Sequence, residues 1–529
     1  MPVSTGPPEV PTVFDHSPYI DQSAFYERLV KSRGPGVFNA VLETNRGCPY
    51  SCSFCDWGSN TTSKVRRFDI ERVRAESEWL ARMGTFLLLI VDANLGILPR
   101  DVEIADHLCA MRARYGYPSA ICYSAAKNNP DRSIEIAKKF AAAGFIDSHF
   151  MAIQHTSEEV LAATDRQNIS PAKQKEVAQA LQKQNIPITV QLILGIPGDT
   201  YDLWKTCFGD LMEWGIHEDY QVFPYSLLPN APAAEKSFRE KWEIETAECS
   251  VTTQHLAPRS FAEDNLLTGK VITKSKTFSR HDWIRMNVYA AFVRTFHTRG
   301  LTRWISLYLR HTHNVAYRSF YEDLIDNFMT AAPAQRRLTD AVHHHCQDAA
   351  AQKSGFDQMV TEQLPSYTYY LTMSQWAFVQ ICLEFDTFWG ALKTHLLRKY
   401  PGITPLEDLI NYQKNLVVLP SYNREVGKSF HVGYDWLEYF ERVVRHEEPE
   451  IVDEPKPAPG AQVIAADESG GPFHDLPFDW HLLMGEKRWI KWIERTVAFR
   501  GCASKNNYTR LRIRRVSESP ARRPLRVLY

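Results

Sequence analysis

The chain has 529 residues, room for about three or four domains. Its 44% apolar and 23% charged content excludes general disorder. Lys and Arg (61) almost cancel Asp and Glu (62), so composition gives no support to nucleic-acid binding. No run of eighteen apolar residues occurs, and no membrane span is expected. Met1–Val13 lacks the basic and apolar regions of a signal peptide. Ten cysteines are too sparse for a disulfide scaffold and fit a reducing cytoplasm.

In chain order, the pattern predicts strands over 37–43, 86–91, 119–124, 147–153, 186–194 and 220–225. Helices fall between them: one capped by Asp69 and ending at Gly84, then 100–114 and 131–143. The next starts with Ser170 as N-cap and Pro171 at the first helical position, and the last covers 201–214. Strands alternating with helices imply parallel βα units, in either a partial barrel or a doubly wound sheet.

Past Pro229 the regular alternation stops. Residues 231–274 read as mixed and partly extended. Ser279, with Asp282 three positions on, caps a helix running to about Gly300. Further helices are expected near 315–329, 374–399 and 436–446. The aromatic stripe Trp283, Tyr289, Trp304, Tyr308 reads as packing. His343-His-His345-Cys346 is too poor in same-face ligands for a metal site. Residues 447–472, acidic and rich in Pro and Gly, read as a linker, and the basic tail from Lys505 as frayed.

The chemistry is concentrated in Gly47-Cys48-Pro-Tyr-Ser-Cys52-Ser-Phe54-Cys55-Asp-Trp-Gly58. Three cysteines at this spacing are expected by chance about 0.004 times in a chain of this content. Three thiolates can ligate three corners of a four-iron cluster and leave one iron open. The alternatives are a zinc knuckle, which wants a second half-site that is not nearby, and a non-catalytic iron–sulfur centre, which wants a fourth close cysteine.

Cys48-x3-Cys52-x2-Cys55, with Phe54 before the third cysteine, resembles the signature loop of the radical S-adenosylmethionine (SAM) superfamily. The resemblance implies a partial (β/α)6 barrel over 37–230. A 1–36 extension precedes it, and a mixed then mainly helical, aromatic-rich region over 231–446 follows. Beyond that lie the 447–472 linker and a 473–529 segment. It further implies a [4Fe-4S] cluster held by Cys48, Cys52 and Cys55 and SAM bound at its open iron. An external one-electron donor of flavodoxin or ferredoxin type would drive cleavage to a 5′-deoxyadenosyl radical, which takes hydrogen from a small-molecule substrate.

Further motifs follow successive predicted strands, where barrel enzymes carry their active sites. Asp92-Ala-Asn94-Leu-Gly96 is similar to the D-x-N-x-G motif that meets the methionyl amino group in relatives. Ser124 and Lys127 suit the methionyl carboxylate. Gln154 and Arg166 follow the fourth strand, Arg166 resembling a carboxylate-binding arginine. Gly195-Ile-Pro197-Gly looks like the adenine-contacting turn, and Tyr225 after the sixth strand is a candidate catalytic residue.

The cysteine loop with Asp92-x-Asn94-x-Gly96, and Ser17-Pro18-Tyr19 before the first strand, resemble the cobalamin-binding subgroup. Asp15-His16 departs from that subgroup's D-x-H-x-x-G signature, and only 36 residues precede the first strand. The readings are therefore hydrogen-abstraction chemistry without cobalamin, or cobalamin-dependent methyl transfer with the cofactor on a separate or missing domain or protein.

Overall fold

The computed structural model describes residues 16–36, 38–57, 64–146, 148–167, 169–250, 256–258, 268–360, 367–417, 428–445, 451–467 and 511–515. The expectations for Met1–Val13, Asp15 and Gly58 lie outside them. The chain divides into two compact units. One holds the residues up to Ser51 and Trp57–Asp147; the other holds Cys52–Asp56 and most of the chain from Ser148 onward.

The first unit is a three-stranded parallel sheet in chain order: β1 (Phe38–Leu42), β2 (Thr85–Leu95) and β3 (Ala120–Ala125). Leu42, Leu88, Ile121, Ile136 and Phe140 build its core with helices α2 (Ile70–Arg82), α3 (Asp101–Tyr115) and α4 (Pro130–Ala142). Helix α1 (Ser23–Arg33) precedes the sheet. The predicted caps are present. Asp69 accepts hydrogen bonds from the amides of Glu71 and Arg72. Gly84 has φ +72°, and a Cβ there would lie 2.6 Å from Pro35 Cβ, so glycine alone fits.

Strand β2 runs four residues further than its hydrophobic stretch. Asp92 and Asn94 occupy the same alternating buried face as Leu88 and Ile90. The sequence signal stops at Val91 because polarity begins there. The strand continues because the buried polar groups find partners. The segment read as an N-terminal extension is tied to the first unit from Ser17 onward: Ser17 Oγ donates to Glu76, and the Tyr19 hydroxyl satisfies both the N–H and C=O of Val41 on β1.

The second unit opens with another parallel sheet in chain order: β4 (His149–Gln154), β5 (Ile188–Leu194) and β6 (Asp219–Pro224). A short helix, α5 (Glu158–Ala162), was not anticipated from the pattern. It is followed by α6 (Pro171–Gln182), capped by Ser170 as expected, and by α7 (Tyr201–Glu213) after β5. Six of the seven β5 residues are buried, as in a strand covered on both faces.

Beyond β6, β7 (Glu245–Ser250) and β8 (Thr268–Lys274) pair antiparallel. Helix α8 (Arg280–Val293) has the predicted Ser279–Asp282 capping box and passes into a π-helical turn, Arg294–Thr298. Trp283, Tyr289, Trp304 and Tyr308 are all buried, confirming the packing role. The single helix expected over 374–399 is two, Met373–Leu383 and Phe385–Lys399. Cys346 is buried with its sulfur 3.4 Å from Met373 Sδ.

Two readings of the C-terminal part are corrected. Within the supposed linker, Pro457–Asp467 is the central strand of an antiparallel sheet between Lys428–Tyr434 and Leu511–Arg515, the last from the supposed frayed tail. Val452 is buried, and its amide bonds the carbonyl of His311. Composition misled because backbone pairing supplies the hydrogen bonds regardless of side-chain character. No helix among the described residues is long and apolar enough to cross a membrane.

Candidate active site

In the first unit the site is built where β1 and β2 end. Asp92 is 2% exposed and accepts hydrogen bonds from the Thr44 amide (2.7 Å), the Thr44 hydroxyl, the Asn45 amide (3.2 Å) and Asn45 Nδ2 (2.7 Å). Burial pushes its pKa up to about 6 against the lowering effect of these bonds. Arg100 donates to the carbonyls of Thr44 and Phe68 at 2.7 and 2.6 Å. The carboxylate expected to face a ligand is thus spent on fastening the turn that leads into the cysteine loop.

Asn94, two residues on and on the same face, does reach that loop: its Nδ2 lies 3.2 Å from Cys48 Sγ. Lys127 places its ammonium 4.2 Å from the centre of the Tyr50 ring, inside the loop, whereas Ser124 is exposed on β3. Gly96 donates its amide to Asp101, which is fully buried at the head of α3.

In the second unit, Cys52 and Ser53 are buried while Phe54 and Cys55 are partly exposed. Ser53 is clamped at three points. Its amide donates to Thr164 O (2.9 Å), its carbonyl accepts from Ala233 (2.9 Å), and its hydroxyl lies 3.3 Å from that of Tyr225. The rings of Phe54 and Tyr225 meet edge-to-face at 6.1 Å. Tyr225 is 1% exposed, and burial raises its pKa. Arg166 is buried: one Nη donates to Ala152 O, the other lies 3.9 Å from Cys52 Sγ, and the guanidinium stands 5.7 Å from the Phe54 ring centre.

A cavity of about 190 Å³ opens at the carboxyl ends of β4–β6, with Phe54, Gln154, Gln191, Phe223 and Tyr225 in its wall. Gln154 is a non-glycine residue at φ +69°, and its buried Oε1 has no hydrogen-bond partner among the described residues. Backbone strain and an unsatisfied acceptor thus coincide at one residue of the cavity wall. Gly195 has φ +90°, and a Cβ there would sit 3.2 Å from Ile272 O and 3.7 Å from the Trp283 ring. The close approach this glycine allows is to β8 and α8. Pro197 is buried in the same turn.

The residues thus gather in two groups: Cys48 with Asn94, and Cys52 with Phe54, Arg166 and Tyr225, the latter beside a cavity that Gln154 lines. Sequence reasoning missed the fastening residues Thr44, Asn45 and Arg100, the clamped Ser53, and a buried His155–Asp199 pair. Asp199 directly follows the Gly195–Gly198 turn, the one signal available for it. Among the described residues no three His, Cys, Asp or Glu side chains are grouped to hold a single metal ion. A four-iron cluster takes its thiolates on separate irons, and the soft sulfur donors with nearby N–H groups suit it.

The profile of the radical SAM superfamily matches residues 42–208, from the end of β1 to within α7. The chain carries a radical SAM domain. Its cofactors as such are a [4Fe-4S] cluster and SAM. The chain is 33% identical over 419 residues to the cobalamin-dependent radical SAM methyltransferase TokK of Streptomyces tokunonensis, covering 76% of this chain and 61% of that one. It is 30% identical over 417 residues to the 2-(S-pantetheinyl)-carbapenam-3-carboxylate methyltransferase of Streptantibioticus cattleyicolor, with the same coverages. The chain thus spans about three-fifths of the length of these curated relatives. Among solved structures, the cobalamin-dependent SAM radical enzyme OxsB with aqua-cobalamin and SAM bound aligns at 12% identity and a TM-score of 0.38, covering 73% of this chain and 59% of that one.

Proposed function

We propose that this radical SAM domain holds its [4Fe-4S] cluster through Cys48, Cys52 and Cys55 and cleaves SAM reductively, in a cobalamin-dependent methyl transfer to a small molecule. The observation that carries the cysteine assignment is the pair of N–H groups aimed at two of the three sulfurs, Asn94 Nδ2 at Cys48 and Arg166 Nη1 at Cys52. N–H groups directed at ligating sulfurs tune the potential of the cluster those sulfurs hold.

When bound, the cluster supplies the electron that breaks a carbon–sulfur bond of SAM. The chain's own residues do the rest. Asp92, Thr44, Asn45 and Arg100 fix the entry of the loop, and Ser53 fixes its middle. Gln154 offers an acceptor inside the cavity beside Phe54. Lys127, beside Tyr50, and Arg166, beside Cys52, bring positive charge to the loop, which suits a carboxylate.

The methyl-transfer part rests on the two relatives named as methyltransferases. Cobalamin would be presented by a separate domain or protein, and a flavodoxin- or ferredoxin-type partner would supply the electron. The test is anaerobic reconstitution with iron and sulfide, then SAM and dithionite, with and without cobalamin. Products are read by mass spectrometry. S-adenosylhomocysteine and 5′-deoxyadenosine, with cobalamin required, are the expected result. Deoxyadenosine regardless of cobalamin would replace methyl transfer by hydrogen abstraction. A Cys52→Ala variant that still cleaves SAM would overturn the cysteine assignment.

A further inference from the structure

His155 and Asp199 are both fully buried. His155 directly follows the strained Gln154 at the end of β4, and Asp199 directly follows the Gly195–Gly198 turn at the end of β5. Their facing atoms, His155 Nε2 and Asp199 Oδ1, are 3.3 Å apart. The Ser157 amide donates to His155 Nδ1 at 3.0 Å, so that nitrogen is bare and the ring proton is on Nε2, facing the carboxylate. Asp199 Oδ1 also accepts from the Thr200 amide at 2.7 Å.

Each partner is locked into its own helix start. Ser157 caps α5 through Val160, and Thr200 caps α7 through Leu203. The His155 ring lies against Trp204 of α7, centres 6.0 Å apart, and Trp204 is itself bonded to the carbonyl of Met286. Gly198, at φ +97°, packs where a Cβ would stand 3.2 Å from Ala163 Cβ, at the end of α5. The pair is therefore a cross-brace between the two strand-to-helix turns that present Gln154 and Pro197. It is also slack. The contact is misaligned, leaving His155 Nε2 and Asp199 Oδ2 without a hydrogen-bond partner among the described residues. Burying a carboxylate with half its capacity unused costs stability that packing alone does not require.

We propose that His155 and Asp199 are positioning residues, their contact setting the Gln154 side chain and the Gly195–Gly198 turn for SAM. This rests on the proposed function and takes SAM to lie in the cavity beside Phe54. Neither residue touches the cofactor; each acts through its chain neighbour.

Three variants separate this from a purely structural role. Asp199→Asn keeps the shape and removes the charge. His155→Asn keeps an acceptor for Ser157 but is too short to reach Asp199, whereas His155→Gln can place an N–H where Nε2 stood. SAM dissociation constants are measured by anaerobic equilibrium dialysis on the reconstituted full chain, with melting curves and the KM and kcat of deoxyadenosine formation alongside. Asp199→Asn and His155→Asn are expected to weaken SAM binding about tenfold, with KM moving more than kcat, and His155→Gln to restore it to within about threefold. Folded variants with wild-type SAM affinity overturn the inference, as does equal behaviour of the two His155 variants. If Asp199→Asn does not fold, the His155 comparison decides alone. A wild-type chain that takes up its cluster but not SAM refutes the site reading itself and this inference with it.

Discussion

Asp92 accepts hydrogen bonds from both the main chain and the side chain of Asn45, at 3.2 and 2.7 Å. Two bonds between one buried carboxylate and one residue lock the exit of β1 to the end of β2. Asp92→Ala leaves the Thr44 and Asn45 donors without an acceptor in a buried place, and we expect it to cost about 3 kcal/mol in urea unfolding. Asp92→Asn should cost less, because an amide oxygen still accepts.

The same group has a pH signature. Its folded pKa of about 6 stands above its ordinary value of 3.8. The folded state therefore holds a proton between about pH 4 and pH 6 that the unfolded chain has lost. Its contribution is fully present below pH 4 and lost as pH rises to 6. Asp92→Asn should remove that part of the slope and leave the curve above pH 7 parallel to wild type. Parallel curves throughout would show that Asp92 titrates normally.

Arg166 brings positive charge within 3.9 Å of the Cys52 sulfur. Replacing it by Leu should lower the midpoint potential of the reconstituted cluster, since reduction adds negative charge beside a lost cation. Arg166→Lys should keep much of the potential but lose the planar fork that also bonds Ala152 O. Deoxyadenosine formation by the Leu variant is expected to fall about tenfold or more. A redox titration followed by electron paramagnetic resonance checks the first point; an unchanged potential would contradict it.

Tyr225 stands beside the cavity, but its hydroxyl points at Ser53 rather than into open space. Tyr225→Phe should cost about 1 kcal/mol of stability for one lost hydrogen bond. It should form deoxyadenosine at a rate within about threefold of wild type. A stable variant that has lost all turnover would restore Tyr225 as a catalytic residue.

Much of the parallel-sheet part was legible because its signals are local. Hydrophobic runs such as Ile188–Leu194 mark strands, Asp69 and Ser170 cap helices, and three cysteines in eight positions stand far above chance. What was not legible depends on contacts distant in sequence. Asp92 could be picked out as a polar residue near a strand end, but its four donors lie 47 and 48 positions away. The strand Pro457–Asp467 was hidden because its own composition, rich in Pro, Gly and Ala, reads as a linker and its pairing partners Lys428–Tyr434 and Leu511–Arg515 lie far from it in sequence. Arg166 could be singled out only by resemblance to a carboxylate-binding arginine, and only the fold shows its charge beside Cys52.

The second unit also holds a buried polar chain whose protons can be assigned one by one. Ser306 Oγ donates to Arg303 O at 2.8 Å, so it must accept from the Tyr321 hydroxyl at 3.0 Å. That commits the Tyr321 proton, and His297 Nδ1, 2.6 Å away, must then be the donor to Tyr321. His297 Nε2 is left bare and accepts from His217 Nδ1–H at 3.0 Å. Both rings are neutral in this arrangement. Burial, reinforced by the nearby Arg303 charge, holds both well below the usual histidine range. In the unfolded chain each takes up a proton near pH 6.5, so folding stability must fall as pH drops below about 6.5 and is undiminished above it. Each histidine contributes up to about 1.4 kcal/mol per pH unit in that window. The raised carboxylates, Asp92 at about 6 and Glu218 at about 7, act with the opposite sign, so the wild-type slope alone does not isolate the effect. The difference between wild type and His217→Gln does. We expect the variant to be less stable at pH 8 and to lose less on going to pH 5. Curves that stay a constant distance apart from pH 8 to 5 would mean that His217 keeps its ordinary pKa in the folded chain.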